Sequence, residues 1–463
     1  MVDTKDVVVI GGGSGGFAAA VRAAQLGGDV AVVEEAKFGG KCMHRACIPL
    51  TFLMHVAGLM DALGEATALG IDVGKPTVDL DAVHERKDLI VDMLRIGTEE
   101  QLSDYGVTLI RGRGKLSGPN SVSVGHQEMR ARRIIIATGS IGGQLLVDGA
   151  DLPGVIDTTQ AINLDKIPAR LAVIGNDPWM IELTQYFGAM GSDVVLVSED
   201  SRLLPEADRE ISQRLAKRLH DDGVDVRRGT GVQGILETSD GRLKVALTEG
   251  QDPVTVDRVL ASPRFPNSTG LGLNDVGVAT RDGAILVDRF MRTNVRSVSA
   301  IGDVTGSPLW SHKANGEGIV AAESAMGLSM AASHQIDYAT VPRCLHTHPE
   351  VAWVGLTAED AEDQGFDVRV GKVPVAINPY AMIVGKTSGA IKVVSEAAYG
   401  KVLGVHMMGP GAIDLVNAAA TAMLSEATVH ELMRLIPAHP SIGEALVDAA
   451  MDVEGRSLHL PKW

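Results

Sequence analysis

Near the N-terminus an unbroken apolar run, VVVI (7–10), stops at a glycine turn, GGGSGG (11–16). Small and apolar residues then recur through FAAAVRAAQL (17–26), and a second apolar run, VAVV (30–33), ends at Glu34. Short apolar runs bounded by turn signals read as buried strands and the small-residue stretch between them as a helix, so the pattern predicts strand, turn, helix, strand. The same order returns at LAVIGNDPWMIELTQYFGAMGSDVVLVSED (171–200), with helical and strand segments following to about residue 262. Between the two units, residues 80–116 look helical before a β-rich stretch ending RRIIIATGS (132–140). From about residue 341 the texture changes to alternating strands and then a helix-rich tail. No Pro/Ser/Gly linker or low-complexity segment interrupts the chain, so its parts are expected to pack as one body.

Each unit has a nucleotide-binding shape. Gly11, Gly13 and Gly16 satisfy G-x-G-x-x-G between strand and helix, where glycine permits a tight turn, close approach of a pyrophosphate and close helix–strand packing. Glu34 falls about 20 residues on, where an acid can accept from a ribose hydroxyl. Two such folds in series suggest an enzyme that passes electrons between two nucleotide cofactors.

Composition narrows the class. A chain of 463 residues is too long for one hydrophobic core and is expected to form about three or four domains. Its net charge of −16 argues against nucleic acid or an anionic membrane surface as a partner. No apolar run is read as approaching the ~20 residues that span a bilayer, and a cytoplasmic location is expected.

Three cysteines cannot form a disulfide framework for a chain this size. Two of them lie five apart in FGGKCMHRACIPL (38–50), open to reading as a redox centre, a metal site or two buried thiols. Zinc would need two further ligands, which neither a second cysteine pair nor a histidine cluster supplies, so no metal is expected. A disulfide between Cys42 and Cys47 does not fit regular helix: five residues rise about 7.5 Å, beyond the roughly 6.8 Å limit on Cα separation. The segment is therefore expected to be a distorted turn entering a helix. Cys344 has no evident partner and reads as a small hydrophobe.

With the glycine fingerprint upstream, this segment resembles the redox-disulfide helix of the flavoprotein disulfide oxidoreductases, whose pattern is GG-T-C-x-N-x-G-C-x-P-S-K. IIIATGS (134–140) and AIGDV (300–304) resemble the family's further flavin motifs, and HKANGEG (312–318) its dihydrolipoamide dehydrogenase branch. VPRCLHTHPEVAWVGLT (341–357) and AHPSIGEAL (438–446) resemble the two ends of its dimerisation domain.

The resemblance implies an α/β protein with two Rossmann-like, three-layer ββα-type nucleotide-binding domains and a C-terminal α+β dimerisation domain. The expected divisions are 1–145 for the first part of the FAD-binding domain, 146–273 for the NAD-type domain, 274–340 for the return segment and 341–463 for dimerisation. It implies FAD held by Gly11, Gly13, Ser14, Gly16, Glu34, Gly114, Thr138, Gly139 and Asp303. It also implies a homodimer in which Cys42 exchanges with substrate, Cys47 faces the flavin, and His439, oriented by Glu444, enters from the partner subunit as acid/base. A lipoyl-carrying protein or a small dithiol would be the substrate. On pattern alone, Ser441 and Glu444 also fit a capping box. Lys41, His44 and Arg45 stand where the family is largely uncharged and are expected to lower thiol pKa or suit an acidic partner.

Departures from the family pattern cluster on the pyridine-nucleotide side. Asp177 and Met180 replace two glycines of the second fingerprint, Ser198 stands where a ribose-binding acid belongs, and Pro263 replaces a glycine. Thr51 replaces a lysine that pairs with the glutamate corresponding to Glu182. NAD is therefore left in doubt. The alternatives are an ordinary NAD-linked dehydrogenase, with Glu199 substituting for the missing acid, and a non-catalytic flavin-containing assembly or regulatory protein. The tail lacks the cysteine pair of mercuric reductase, and no arginine cluster follows Val197 to hold the 2′-phosphate used by glutathione reductase.

Overall fold

The computed structural model describes residues 4–248, 250–328 and 335–461. The first apolar run becomes strand β1, Thr4–Ile10, in which Val7, Val8 and Val9 are all fully buried. Both faces of the strand are covered, which is why its sequence is continuously apolar rather than alternating. Helix α1, Ser14–Gln25, and strand β2, Val30–Glu34, complete the unit, with β1 and β2 parallel in the register Val7↔Val30.

Five parallel strands form the first sheet in the order 108–111, 30–34, 4–10, 127–136, 298–300. Strand Gln127–Ile136 also continues into an antiparallel meander with 121–124 and 114–118. Small residues bring α1 against the helix Ser311–Ala325: a Cβ on Gly318 would lie 2.5 Å from the Gly15 carbonyl oxygen.

The second unit repeats the plan with a five-stranded parallel sheet, order 225–228, 193–198, 170–174, 258–261, 155–156. A three-stranded antiparallel sheet (232–237, 243–247, 254–256) covers one face through Ile235, Leu243 and Val245 against Ala172, Val195 and Val197. The helix Pro178–Ala189 packs with the large core cluster on the other face. The third region is a five-stranded antiparallel sheet, order 343–345, 351–355, 402–408, 390–396, 368–374, under the helices Ala412–Leu424 and Gly443–Val453.

One apolar cluster joins Leu53 and Met54, the second unit and Trp353 of the third region. Lys392–Asp208 and Lys372–Glu210 ion pairs link the second and third regions beside it. The α/β class and the C-terminal α+β region agree with the sequence reading.

One expectation is corrected. The helical run Gly40–Leu69 is long and apolar enough to cross a bilayer by length and composition alone. Counting unbroken apolar residues missed it because Thr51, His55, Asp61 and several glycines interrupt a stretch whose mean hydropathy is still high. Leu50, Leu53, Met54 and Ala57 of this run face the core.

Candidate functional site: a flavin cavity and a thiol pair

The first turn leaves a helix end open. Gly11 has φ +108° and donates its N–H to Val33 O at 2.8 Å; a Cβ there would sit 2.3 Å from Ala137 O. Gly16 packs against the same turn, where a Cβ would lie 1.9 Å from Gly11 O. Gly13 is the N-cap of α1 and offers no side-chain cap, so the first N–H groups of the helix have no side-chain acceptor there. Glu34 closes the turn by accepting from Gly12 N at 2.7 Å and Ala36 N at 2.8 Å.

These residues border a cavity of about 650 Å³, lined among others by Gly11, Gly13, Ser14, Glu34, Gly114, Thr138, Gly139 and Asp303. Of the nine flavin residues expected, only Gly16 lies behind the wall, where its role is close packing. An uncapped helix end, a glycine cradle and an acid at the strand end fit a dinucleotide with its pyrophosphate on α1.

Asp303 is held from two sides. Ser140 Oγ donates to its carboxylate at 2.7 Å, and the preceding Gly302 N–H donates to Glu317 at 2.6 Å. Glu317 is fully buried, paired with Lys313 at 3.1 Å, and accepts from Tyr338 Oη at 2.6 Å. Lys313 in turn donates to Gly302 O at 3.3 Å, so the buried pair keeps its hydrogen-bonding capacity filled. The HKANGEG stretch is thus the brace of the Asp303 loop. Thr138 Oγ1 donates to Asn267 O at 2.7 Å and ties the 262–267 segment to the cavity wall.

The cysteines follow on two helices, α2 (Gly40–Arg45) and α3 (Cys47–Glu65). Ala46, at φ −145° and ψ −105°, breaks the helix between them, the distortion that the five-residue spacing predicts. Gly40 presses this segment against the first turn: a Cβ there would lie 2.6 Å from Gly13 Cα.

Both cysteines are free thiols lining the cavity. Hydrogen bonds from Cys47, and then from Ser311 and Ser14, outweigh burial and bring the Cys42 thiol down to about 7. Cys47 moves the other way, well above the ordinary thiol value, because it hydrogen-bonds to Cys42, is buried, and faces the negative charges of Cys42 and Glu182. Ser311 Oγ donates to Ser14 Oγ at 2.7 Å, so Ser14 belongs to the thiol environment as well as to the cavity wall.

The basic neighbours are not the main influence on the Cys42 thiol. None of Lys41, His44 and Arg45 is among the groups that act most on Cys42. His44 Nε2 bonds Phe38 O at 2.8 Å, and burial lowers its pKa. Cys344, half-buried beside the C-terminal core cluster, is pushed up to about 12 by burial and then by Glu182 and Glu350.

His439 and Glu444 meet, but away from this cavity. His439 Nδ1 lies 2.8 Å from Glu444 Oε1, while Glu444 Oε2 accepts from Ser441 N at 2.9 Å. The Ser441 N–H and His439 together hold the Glu444 carboxyl below its ordinary value. The helix Gly443–Val453 has no side-chain cap, so only one half of the capping box forms. With Nδ1 on a carboxylate, Nε2 is left to exchange a proton. The His439 side chain is 72% exposed and does not line the cavity of its own chain.

At the second turn the helix end is filled from within. Gly175, at φ +122°, donates to Val197 O at 2.9 Å. Asp177 then caps the helix Pro178–Ala189, accepting from Trp179 N at 2.9 Å, and burial raises its carboxyl pKa. Asn176 Nδ2 reaches Ser198 Oγ at 3.0 Å and Asp200 at 2.9 Å. Met180 is buried beneath Gly175, where a glycine Cβ would lie 3.3 Å from Met180 Cγ. Trp179 lines the flavin cavity, with the Arg264 guanidinium 4.1 Å from its ring centroid.

Glu182 has a partner that sequence reading missed. In a chain with Thr51 in place of lysine, its carboxylate accepts from His346 N at 2.7 Å and lies 3.4 Å from His346 Nδ1. Burial alone would lower the His346 pKa, but the Glu182 hydrogen bond outweighs it and raises it. The signal available was a glutamate on an apolar helix face without its usual cation, which demands a partner from elsewhere.

The comparisons agree with this geometry. The model of the pyridine nucleotide-disulphide oxidoreductase family matches residues 5–325, and that of its dimerisation domain matches residues 341–450. The dihydrolipoyl dehydrogenase of Thermus scotoductus is 38% identical over 99% of both chains. The mitochondrial dihydrolipoyl dehydrogenase of Pisum sativum is 36% identical over 99% of this chain and 93% of its own. Among solved structures, LpdA of Mycobacterium tuberculosis superposes with a TM-score of 0.89 at 26% identity, covering 97% of this chain and 99% of the other. The HOCl-induced flavoprotein disulfide reductase RclA of Escherichia coli gives 0.85 at 28%, covering 96% and 98%.

Proposed function

The chain belongs to the pyridine nucleotide-disulphide oxidoreductase family, and we propose that it oxidises protein-bound dihydrolipoamide through a Cys42–Cys47 redox disulfide, with a degraded NAD(H) site at the second turn. At the coarser level it is an FAD-dependent disulfide oxidoreductase of the dihydrolipoyl dehydrogenase type, with a dimerisation domain suited to a homodimer. The observation that carries the finer reading is the contact between Cys42 and Cys47 in the flavin cavity, with Cys42 the more acidic thiol.

The reaction follows from these groups. His439 of the partner subunit, its Nδ1 held by Glu444, takes the proton of the first substrate thiol at Nε2. The substrate thiolate attacks Cys42 Sγ; the Cys42–Cys47 bond breaks, and the departing electron pair stays on Cys47. The second substrate thiol, deprotonated in turn, displaces Cys42 and closes the substrate disulfide. A thiol with a pKa of about 7 leaves readily at neutral pH, which suits Cys42 to that second step. When bound, FAD supplies the two-electron acceptor that returns Cys42 and Cys47 to the disulfide.

The exposed His439 supports its service to the other subunit's cavity, since it lies outside its own. The degraded NAD(H) site is supported by Asp177, Asn176 and Met180, which occupy the second turn. The substrate is a lipoyl group on a carrier protein or a small dithiol of the same chemistry.

The test is anaerobic reduction of the bound flavin by dihydrolipoamide, followed by its absorbance. Wild-type protein should bleach; Cys42→Ser and Cys47→Ser should keep their flavin and stay yellow. Bleaching of Cys42→Ser at the wild-type rate sinks the disulfide route.

A further inference from the structure

Lys41 carries a charge that neither the flavin cradle nor the thiol pair uses. It is the second residue of α2, between Gly40 and Cys42, and lines the same cavity as Thr138, Gly139 and Asp303. Among the described residues it makes no hydrogen bond and no ion pair. The charged groups facing it are Arg45 on its own helix, Arg264 on the strand Arg264–Pro266, Asp303 in its braced loop, and Asp157 ahead of the helix Thr158–Ala161. Asp177, the cap of the helix Pro178–Ala189, lies within reach of its field.

Those carboxylates have other work. Asp303 accepts from Ser140, Asp157 accepts from Gln160 N, and Asp177 accepts from Trp179 N. A half-buried ammonium beside a second cation, Arg264, is costly unless an anion arrives. Neither thiol is among the groups that act most on Lys41.

We propose that Lys41 is the cation that stabilises the reduced form of the bound flavin, raising its midpoint potential so that electrons from the thiol pair are held. The inference rests on the dithiol-oxidase reading above. Oxidising a dithiol to a disulfide releases two electrons and two protons. The flavin takes both electrons and one proton, the other proton leaving through His439 to solvent, so the cavity gains one negative charge. An ammonium in that cavity lowers the free energy of the charged state. Burial, followed by the Arg264 charge, brings the Lys41 pKa down to about 8, which places the loss of this cation within a testable pH range.

The test measures the flavin midpoint potential of holoenzyme across pH for wild type, Lys41→Met, Lys41→Gln and Lys41→Arg, after flavin content is confirmed. At pH 7 the two neutral variants should fall below wild type by at least about 30 mV, a tenfold change in the two-electron equilibrium. The gap should narrow at about pH 9 and above, as the wild-type lysine loses its proton. Lys41→Arg should keep the wild-type potential at pH 7 and retain its advantage at higher pH. Equal potentials for wild type and the neutral variants at pH 7 overturn the proposal. So does an equal drop in Lys41→Arg, which would mark packing rather than charge. Wild-type protein that neither holds nor takes up FAD overturns the underlying reading of the site, a result distinct from unchanged potentials in yellow protein.

Discussion

At Gly11 and at Gly175 the chain makes the same turn: φ is +108° and +122°, and each N–H donates to the second sheet strand, at Val33 O and Val197 O. The two turns part at the next helix. The first opens on α1 with Gly13 at its N-cap and no side-chain acceptor, whereas the second is capped by Asp177 and bridged by Asn176 to Ser198 and Asp200. Behind the turns, Gly16 gives way to Met180, so the space left by one is filled by the other. A helix N-terminus is an anion site only while its N–H groups lack an acceptor from the chain itself. The two turns follow the same path and differ in that property and in the space behind the helix end.

The largest expected consequence is in electron donors. With the Trp179 N–H already taken by Asp177, the second helix end offers an incoming pyrophosphate one donor fewer, and a lost hydrogen bond to a charged group costs about 1.5–3 kcal/mol, roughly a ten- to 150-fold loss. In stopped-flow mixing, dihydrolipoamide should reduce the flavin readily and NADH slowly or not at all. Rapid reduction by micromolar NADH would break the comparison and restore the ordinary NAD-linked dehydrogenase.

Overfilling the first turn should come next. In Gly16→Val the new Cβ would meet Gly11 O at 1.9 Å, and overpacking of this kind costs about 1–3 kcal/mol, roughly 5- to 160-fold in flavin retention. Flavin absorbance per protein after gel filtration measures it; retention at the wild-type level would mean that this glycine is not needed for the close approach. Asp177→Ala should have the smaller effect, about 0.5–2 kcal/mol of stability for a lost N-cap, read as the urea midpoint. Its flavin content should be unchanged. A fall in flavin content would show that the second turn supports the first cavity, which would sharpen the contrast into a coupling.

Much of this contrast was legible in the residues. Glycines at 11, 13 and 16 and the acid at 34 announce the open turn because their spacing follows from backbone geometry within one unit. The break at Ala46 agrees with the distorted turn that helix rise demands if Cys42 and Cys47 are to pair. What escaped notice was carried across long separations. Glu182 finds His346 and Ser14 finds Ser311 through the packing of different regions, and hydrophobic period reports burial without naming a partner. The basic run Lys41, His44 and Arg45 shows the same limit: adjacency in sequence to Cys42 does not make any of the three a dominant influence on its thiol. Asp177 in place of a glycine announced an altered turn, but not that its carboxylate turns inward and caps its own helix.

That inward cap also sets how each half is kept folded. A ligand that binds only the native state adds RT ln(1 + [L]/Kd) to its stability, about 2.7 kcal/mol at a hundred times Kd. The α1 end waits for such a ligand, so the first unit's resistance to heat and proteolysis rises and falls with the supply of flavin. The helix Pro178–Ala189 carries its own acceptor in Asp177, so the stability of that helix end is written into the polypeptide and does not wait for a ligand.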